Sequence, residues 1–136
     1  MGFRINMLRS ASGRAYLAFC QDTIRDAILD RLRQSGHKGD RQAHSPDYVA
    51  RCVSDARAQG FAFRDPDFGG DFNEPRSAVD DARDSLAVPI RLAEHVPAAL
   101  NVTWSRKVFR RDLARAQFAS AVQDAAADIA QAMNAG

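Results

Sequence analysis

Ala99-Leu100-Asn101-Val102-Thr103-Trp104 carries Leu100, Val102 and Trp104 in strict alternation with Ala99, Asn101 and Thr103. A period of two marks a strand with one apolar and one polar face. Upstream, Leu86, Val88 and Ile90 alternate in the same way with Ser85, Ala87 and Pro89. Pro89 cannot donate to a ladder, so this second strand is expected at a sheet edge or with a bulge. Phe61 and Phe63, alternating with Ala62 and Arg64, read as a shorter strand with one buried face.

Around these strands the period changes to that of a helix. Ile24, Ile28 and Leu32 recur every four residues within Thr23 to Gln34, with Arg25, Asp26, Asp30 and Arg31 on the opposite side. Asp22 is the expected cap and Gly36 the expected stop. Gly36 to His44 is polar and reads as a loop. Ser45-Pro46-Asp47 is a helix start, followed by a stripe of Val49, Cys52, Val53 and Ala56 that ends at Gly60. The last helix places Leu113, Phe118, Val122, Ala125, Ile129 and Met133 on its core side, beside many alanines. Together these predict an α+β fold with a curved, mainly antiparallel sheet flanked by helices.

The segment Ser10-Ala11-Ser12-Gly13-Arg14-Ala15-Tyr16-Leu17-Ala18-Phe19-Cys20 opens another apolar helix with small residues. First-turn amides lack intrahelical partners, and small side chains let a carboxylate approach them, although Ser and Gly serve equally as ordinary caps. Pro66 to Asp84 shows no period and is rich in Asp, Gly and Pro, the pattern of a lid, a binding loop or disorder. A turn is expected around Glu94-His95-Val96-Pro97.

Composition bounds the function. The chain has 136 residues, 46% hydrophobic and 26% charged, which suits one small domain. No run approaches the roughly 18 apolar residues of a membrane span, and the start lacks a secretory signal, so a cytoplasmic protein without a membrane partner is expected. Cys20 and Cys52 both fall in apolar helical segments and read as buried free thiols. A net charge of +2, with Lys and Arg interleaved among Asp and Glu, gives no phosphate-binding stripe.

Several side chains could carry chemistry. Arg64, after two strand aromatics, could grip a carboxylate through parallel hydrogen bonds, or could be a surface arginine paired with Asp65 or Asp67. Asn101 and Thr103 share one strand face, with Ser85 on the neighbouring strand. Such a row suits a small polar ligand, or is simply the solvent side of a sheet. His37, His44 and His95 lie in loops, and no Cys or His pair has zinc spacing. The acids Asp65, Asp67 and Asp71 form a carboxylate-rich loop that suits either a divalent cation or solvent. No nucleophile elbow, phosphate-binding loop or dinucleotide fingerprint occurs, so neither an enzyme nor a cofactor is expected.

The succession of Ser-Ala-Ser-Gly-Arg-Ala-Tyr-Leu-Ala-Phe-Cys, Ala56 to Asp65, Leu86 to Ile90, Ala99 to Trp104 and a final Ala-rich helix resembles the C-terminal effector-binding domain of IclR-type bacterial transcription regulators. The likeness runs over nearly the whole chain. Gly13 to Cys20 and Arg64-Asp65-Pro66-Asp67-Phe68-Gly69-Gly70 look most like the branch that activates hydroxyphenylpropionate and related aromatic-acid catabolism. The resemblance implies a GAF- and profilin-like architecture and a sensor of a small organic acid. It implies a ligand site formed by Ala11, Ser12 and Gly13, by Arg64, and by Ser85, Asn101 and Thr103, with Ile5 and Met7 as apolar wall. Arginine at 64 and serine at 85 depart from common family residues and favour a larger carboxylate matched by a cation.

Family members carry an N-terminal winged helix-turn-helix followed by the first elements of the effector domain. Residues 1–136 are therefore expected to be an effector-binding domain without those first elements or the DNA reader, working as a dimer or tetramer. DNA would be a partner only through the helix-turn-helix absent from this chain. Two other classes remain open: a structural dimerisation module with a vestigial pocket, and a small enzyme using the Asp65 to Asp71 loop.

Overall fold

A computed structural model describes residues 5–93 and 95–135. Helices α1 (Ala11–Phe19), α2 (Asp22–Gln34) and α3 (Pro46–Gln59) precede strand β1 (Ala62–Phe63). A long irregular segment then leads to β2 (Arg83–Ile90), β3 (Ala98–Ser105) and α4 (Arg111–Ala135). The strands form one antiparallel sheet in the order β1-β2-β3. Glu94 lies outside the described residues, so the expected turn at 94–97 is described only in part.

The alternation predicted for the strands fixes the two faces of the sheet. Leu86, Val88, Ile90 and Trp104 turn to one side, where they pack with Phe61, Ala114, Ala119 and Ala126. Phe63, Leu100, Val102, Phe118 and Val122 complete that layer. An ion pair ties α4 to the same side: Arg111 Nε and Nη2 donate to the two Asp84 carboxylate oxygens at 2.7 and 2.8 Å. On the other face Ala62 and Ala87 meet Ala11, Ala15 and Ala18 of α1 and Ala56 of α3. Alanine against alanine lets helix and sheet approach closely.

Five sequence expectations change here. Pro89 lies in the central strand, neither at an edge nor at a bulge. Arg64 N–H donates to Ser85 C=O, so the odd residues of β2 face β1. Since β1 begins at Ala62, opposite Ala87, no β1 residue pairs with Pro89, and its missing N–H costs no ladder bond. Second, 38–44 is a 3₁₀ helix rather than a loop, with Gly39, Asp40 and Ala43 buried. Third, α2 begins at Asp22 itself, with Gln21 at the cap position; the Asp22 carboxylate pairs with Arg25. Fourth, only Ala56 of the expected α3 stripe is fully buried, although Ser45, Pro46 and Gly60 bound that helix as expected, with Gly60 at φ 81°.

The fifth change concerns α4, whose buried residues are Ala114, Ala119 and Ala126, whereas Leu113 is 53% exposed and Ile129 and Met133 also reach the surface. Ala114→Leu is therefore expected to destabilise the fold by about 1–3 kcal/mol through overpacking, while Leu113→Ala changes stability by less than about 0.5 kcal/mol. Chemical denaturation of the two variants measures the phase of the helix. Equal effects would contradict this packing.

Candidate functional site

The irregular segment between β1 and β2 is held down by arginines whose donors satisfy its backbone carbonyls. Arg9, 3% exposed, donates to the carbonyls of Phe72, Asp67 and Glu74 at 3.2, 3.3 and 2.9 Å. Arg76 donates to the carbonyls of Pro66, Phe68 and Arg83. Both Arg9 and Arg64 stack on the Phe68 ring, at 4.9 and 5.2 Å from its centroid. Gly69 lets the segment fold on itself, because a Cβ there would stand 1.8 Å from the Val79 carbonyl oxygen.

Arg64 is not a surface arginine. It is 7% exposed and pairs with Asp81, rather than with Asp65 or Asp67. Its Nε donates to Ser85 Oγ at 3.1 Å, while Nη1 reaches both Asp81 oxygens at 3.1 Å and the carbonyls of Phe68 and Arg83. Nη2 donates to none of the described residues. In a guanidinium this nitrogen shares an edge with Nε, so the uncommitted donor sits beside the Ser85 hydroxyl.

The register carries the row onward. Ser85 pairs with Thr103 and Ala87 with Asn101 across β2 and β3, so these side chains lie on the α1 face of the sheet. Thr103 Oγ1 stands 3.5 Å from Asn101 Oδ1, and Asn101 Nδ2 donates to Ser12 Oγ at 3.1 Å. Beside Ser12 lies a cavity of about 280 Å³ walled by Ile5, Met7, Ser12, Gly13, Tyr16 and Ala99. Gly13 is required there, since a Cβ would fall 2.4 Å from the Met7 carbonyl oxygen.

Of the candidate residues, Ile5, Met7, Ser12 and Gly13 thus line one cavity, and Asn101 touches it through Ser12. Thr103, Ser85 and Arg64 continue from it as a polar row across the sheet. Ala11 does not face the cavity; it is 1% exposed within the alanine layer. The start of α1 is also capped from within, because Ser10 Oγ accepts the Gly13 N–H at 3.0 Å. Tyr16 was not anticipated. It lies three residues beyond Gly13 and four beyond Ser12, on the same helix face, which is the signal that could have found it.

A second polar arrangement joins α1, α3 and the segment after β1. Tyr48 donates its hydroxyl hydrogen to Asp65 Oδ2 at 2.5 Å, and Arg14 Nη2 reaches Tyr48 Oη at 2.7 Å and Asp65 Oδ2 at 3.2 Å. These groups line a cavity of about 370 Å³ between α3 and β1. Burial is the main force raising the Tyr48 phenol above its ordinary value. Burial also works to raise the Asp65 carboxyl, but hydrogen bonds from Tyr48 and the Asp67 amide, with Arg14 close by, outweigh it and hold the acid below its ordinary value. Cys20 and Cys52 form no disulfide; Cys20 is buried as expected, Cys52 only half-buried, and burial raises both thiols above their ordinary value. Among the described residues no cluster of His, Cys, Asp or Glu is arranged to hold a metal ion. Asp71, expected in an acidic cluster, instead accepts the amides of Asn73 and Glu74. No helix of the described residues is long and apolar enough to cross a membrane.

Two variants test this geometry. Arg64→Ala takes the guanidinium from Asp81, Ser85 and the carbonyls of Phe68 and Arg83, leaving Asp81 only the Arg83 amide and the more distant Arg76, and is expected to cost on the order of 3 kcal/mol of stability, measured by urea unfolding; an unaffected midpoint would contradict the buried pair. The depressed Asp65 carboxyl contributes stability that is complete above the ordinary value of 3.8 and is lost as pH falls below it. Asp65→Asn is therefore expected to lower stability at pH 7 and to flatten the acid limb of the stability curve. An unchanged acid limb would show that Asp65 titrates normally.

Comparison with known proteins bears on this geometry. The family described as "Bacterial transcriptional regulator IclR C-terminal" matches residues 1–131. The C-terminal domain of the Escherichia coli transcriptional regulator KdgR has a similar fold, with a TM-score of 0.67 at 18% identity over 96% of this chain and 73% of that one. An IclR family transcriptional regulator from Brucella abortus gives a TM-score of 0.63 at 15% identity, covering 93% of this chain and 43% of its own. An IclR homolog from Microbacterium hydrocarbonoxydans, solved with 4-hydroxybenzoate, gives 0.62 at 19% identity over 99% of this chain and 48% of its own. The chain thus spans about half or less of these two regulators.

Proposed function

Since the chain belongs to the IclR C-terminal family of bacterial transcriptional regulators, we propose that it senses a small carboxylic acid, of aromatic type, at the opening of α1. The observation that carries this reading is the continuous polar line from Ser12 through Asn101 and Thr103 to Ser85 and Arg64. At one end it meets a cavity with an apolar wall of Ile5, Met7 and Tyr16, suited to a ring. At the other it meets a guanidinium edge with one donor unspent, suited to a carboxylate. The 4-hydroxybenzoate complex of the Microbacterium homolog is a bound aromatic acid in a protein of similar fold, which supports the ligand class. Among the other cavities, that between α3 and β1 is rimmed by Arg14, Arg51 and Asp55, and that between α2 and α3 sets Leu29, Val49 and Val53 among Arg25, Arg33 and Arg57, but neither adjoins the row of Ser12, Asn101, Thr103 and Ser85.

Sensing requires the acid to bind one arrangement of the protein better than another. Arg64 supplies the means, because the guanidinium that would meet the acid also holds the carbonyls of Phe68 and Arg83. Occupancy would alter how tightly the 65–82 segment is fastened, and thereby the geometry of a homo-oligomer. Operator DNA would be read by a separate part of the longer regulator. Calorimetric titration with 4-hydroxybenzoate and with its amide tests the proposal: the acid is expected to bind at least tenfold tighter, about 1.4 kcal/mol. Thr103→Val is expected to weaken the acid and spare the fold. Equal affinity for acid and amide would contradict a site organised around Arg64.

A further inference from the structure

Beside the start of α4, Pro66, Arg76, Asp84, Arg106 and Arg111 line a cup of about 260 Å³. All five lie between positions 66 and 111, and none belongs to the row from Ser12 to Arg64. Three guanidiniums thus face one carboxylate, and that carboxylate is already engaged. Asp84 Oδ1 accepts from Arg111 Nη2 and from the Ser85 amide, while Oδ2 accepts from Arg111 Nε. Three arginines less one aspartate leave two positive charges on the lining. Asp80, outside the cup, offsets part of this by accepting from both Arg76 and Arg106 at 2.6 and 2.8 Å. A small recess lined by one sign of charge concentrates counter-ions. No basic stripe announces it in the sequence, because the three arginines come from separate segments.

Two of the three guanidiniums are fixed in advance. Arg76 is held by the carbonyls of Pro66, Phe68 and Arg83. Arg111 is held by Asp84 and the Arg64 carbonyl, and stacks 4.5 Å from the centroid of the Phe63 ring. Little side-chain entropy is therefore lost when an anion arrives. Donors also remain for it. Arg111 Nη1, Arg106 Nε and Arg106 Nη1 donate to none of the described residues. We propose that this cup binds a phosphate-type dianion, either the free ion or the head of a small phosphomonoester. Guanidinium donors match the spacing of phosphate oxygens, and a dianion answers the two charges of the lining. Pro66 is the only apolar residue of the lining, so the cup offers no wall to an aromatic ring.

The cup does not rest on the acid site, and its test needs no aromatic acid. NMR titration of the full chain with inorganic phosphate, at about pH 8 where phosphate is a dianion and at constant ionic strength, reads binding from the arginine side-chain signals. Ethyl phosphate serves as the phosphomonoester and acetate as the monoanion control. Expected is saturable movement of the Arg106 and Arg111 signals with phosphate or ethyl phosphate, and none with acetate. Tighter binding of ethyl phosphate would assign the head of an ester, and tighter binding of phosphate the free ion. Arg106→Ala removes a side chain bonded only to Asp80 and is expected to weaken binding about tenfold. Lys107→Ala removes the same charge next to the cup and is expected to leave affinity nearly unchanged. The titration of the unaltered chain decides the matter even if a variant does not fold. Failure of both phosphates to move the two arginines, equal movement with acetate, or equal loss in Arg106→Ala and Lys107→Ala would overturn the proposal.

Discussion

A guanidinium buried beneath an irregular segment needs its donors satisfied, and the Arg64 bonds set much of this structure. The side chain leaves the end of β1 on the α1 face, crosses to Ser85 on β2, and takes in Asp81 and the carbonyls of Phe68 and Arg83. Leaving that charge unpaired away from water would cost several kcal/mol. The strands and the segment joining them are therefore constrained together. Arg9 and Arg76 repeat the device on other carbonyls of the same segment, which is why a long stretch without helix or strand still has a defined course.

The two faces of the sheet divide the work. On the α4 face, aromatic and branched side chains supply the bulk of the apolar burial, and the Asp84–Arg111 pair fixes the start of the helix. On the α1 face, alanines bring the helix close, and the layer gives way to polar side chains at Asn101, Thr103, Ser85 and Arg64. A ligand admitted there would meet groups that already hold the backbone in place. That is the physical basis for linking occupancy to shape.

Much of the fold was legible because it rests on local rules. Alternation placed Leu86, Val88 and Trp104 on one face, and Ser45, Pro46 and Gly60 marked the ends of α3. What was not legible depended on neighbours distant in sequence. Pro89 is tolerated in a central strand only because β1 is short. Leu113 lies outside because alanines suffice where α4 meets the sheet. Sequence alone leaves Arg64 open between a carboxylate grip and a surface pair with Asp65 or Asp67, because Asp81 and Arg83, which close around it, are distant in the chain. Alternation brought Ser85, Asn101 and Thr103 together, whereas Ile5 and Met7 came from the family resemblance alone. The Tyr48–Asp65–Arg14 cluster left no trace in periodicity, since its members come from three separate segments.

The most direct test of the acid-sensing account is to follow the arginine side-chain and backbone amide signals by NMR during a titration with 4-hydroxybenzoate. The account predicts that the Arg64 guanidinium signals shift together with the amides of Ser12, Ser85, Asn101 and Thr103, while those of Arg25, Arg33 and Arg57 around the α2–α3 groove stay still. Movement confined to that groove or to the Arg14–Tyr48 cavity, with Arg64 unchanged, would contradict it.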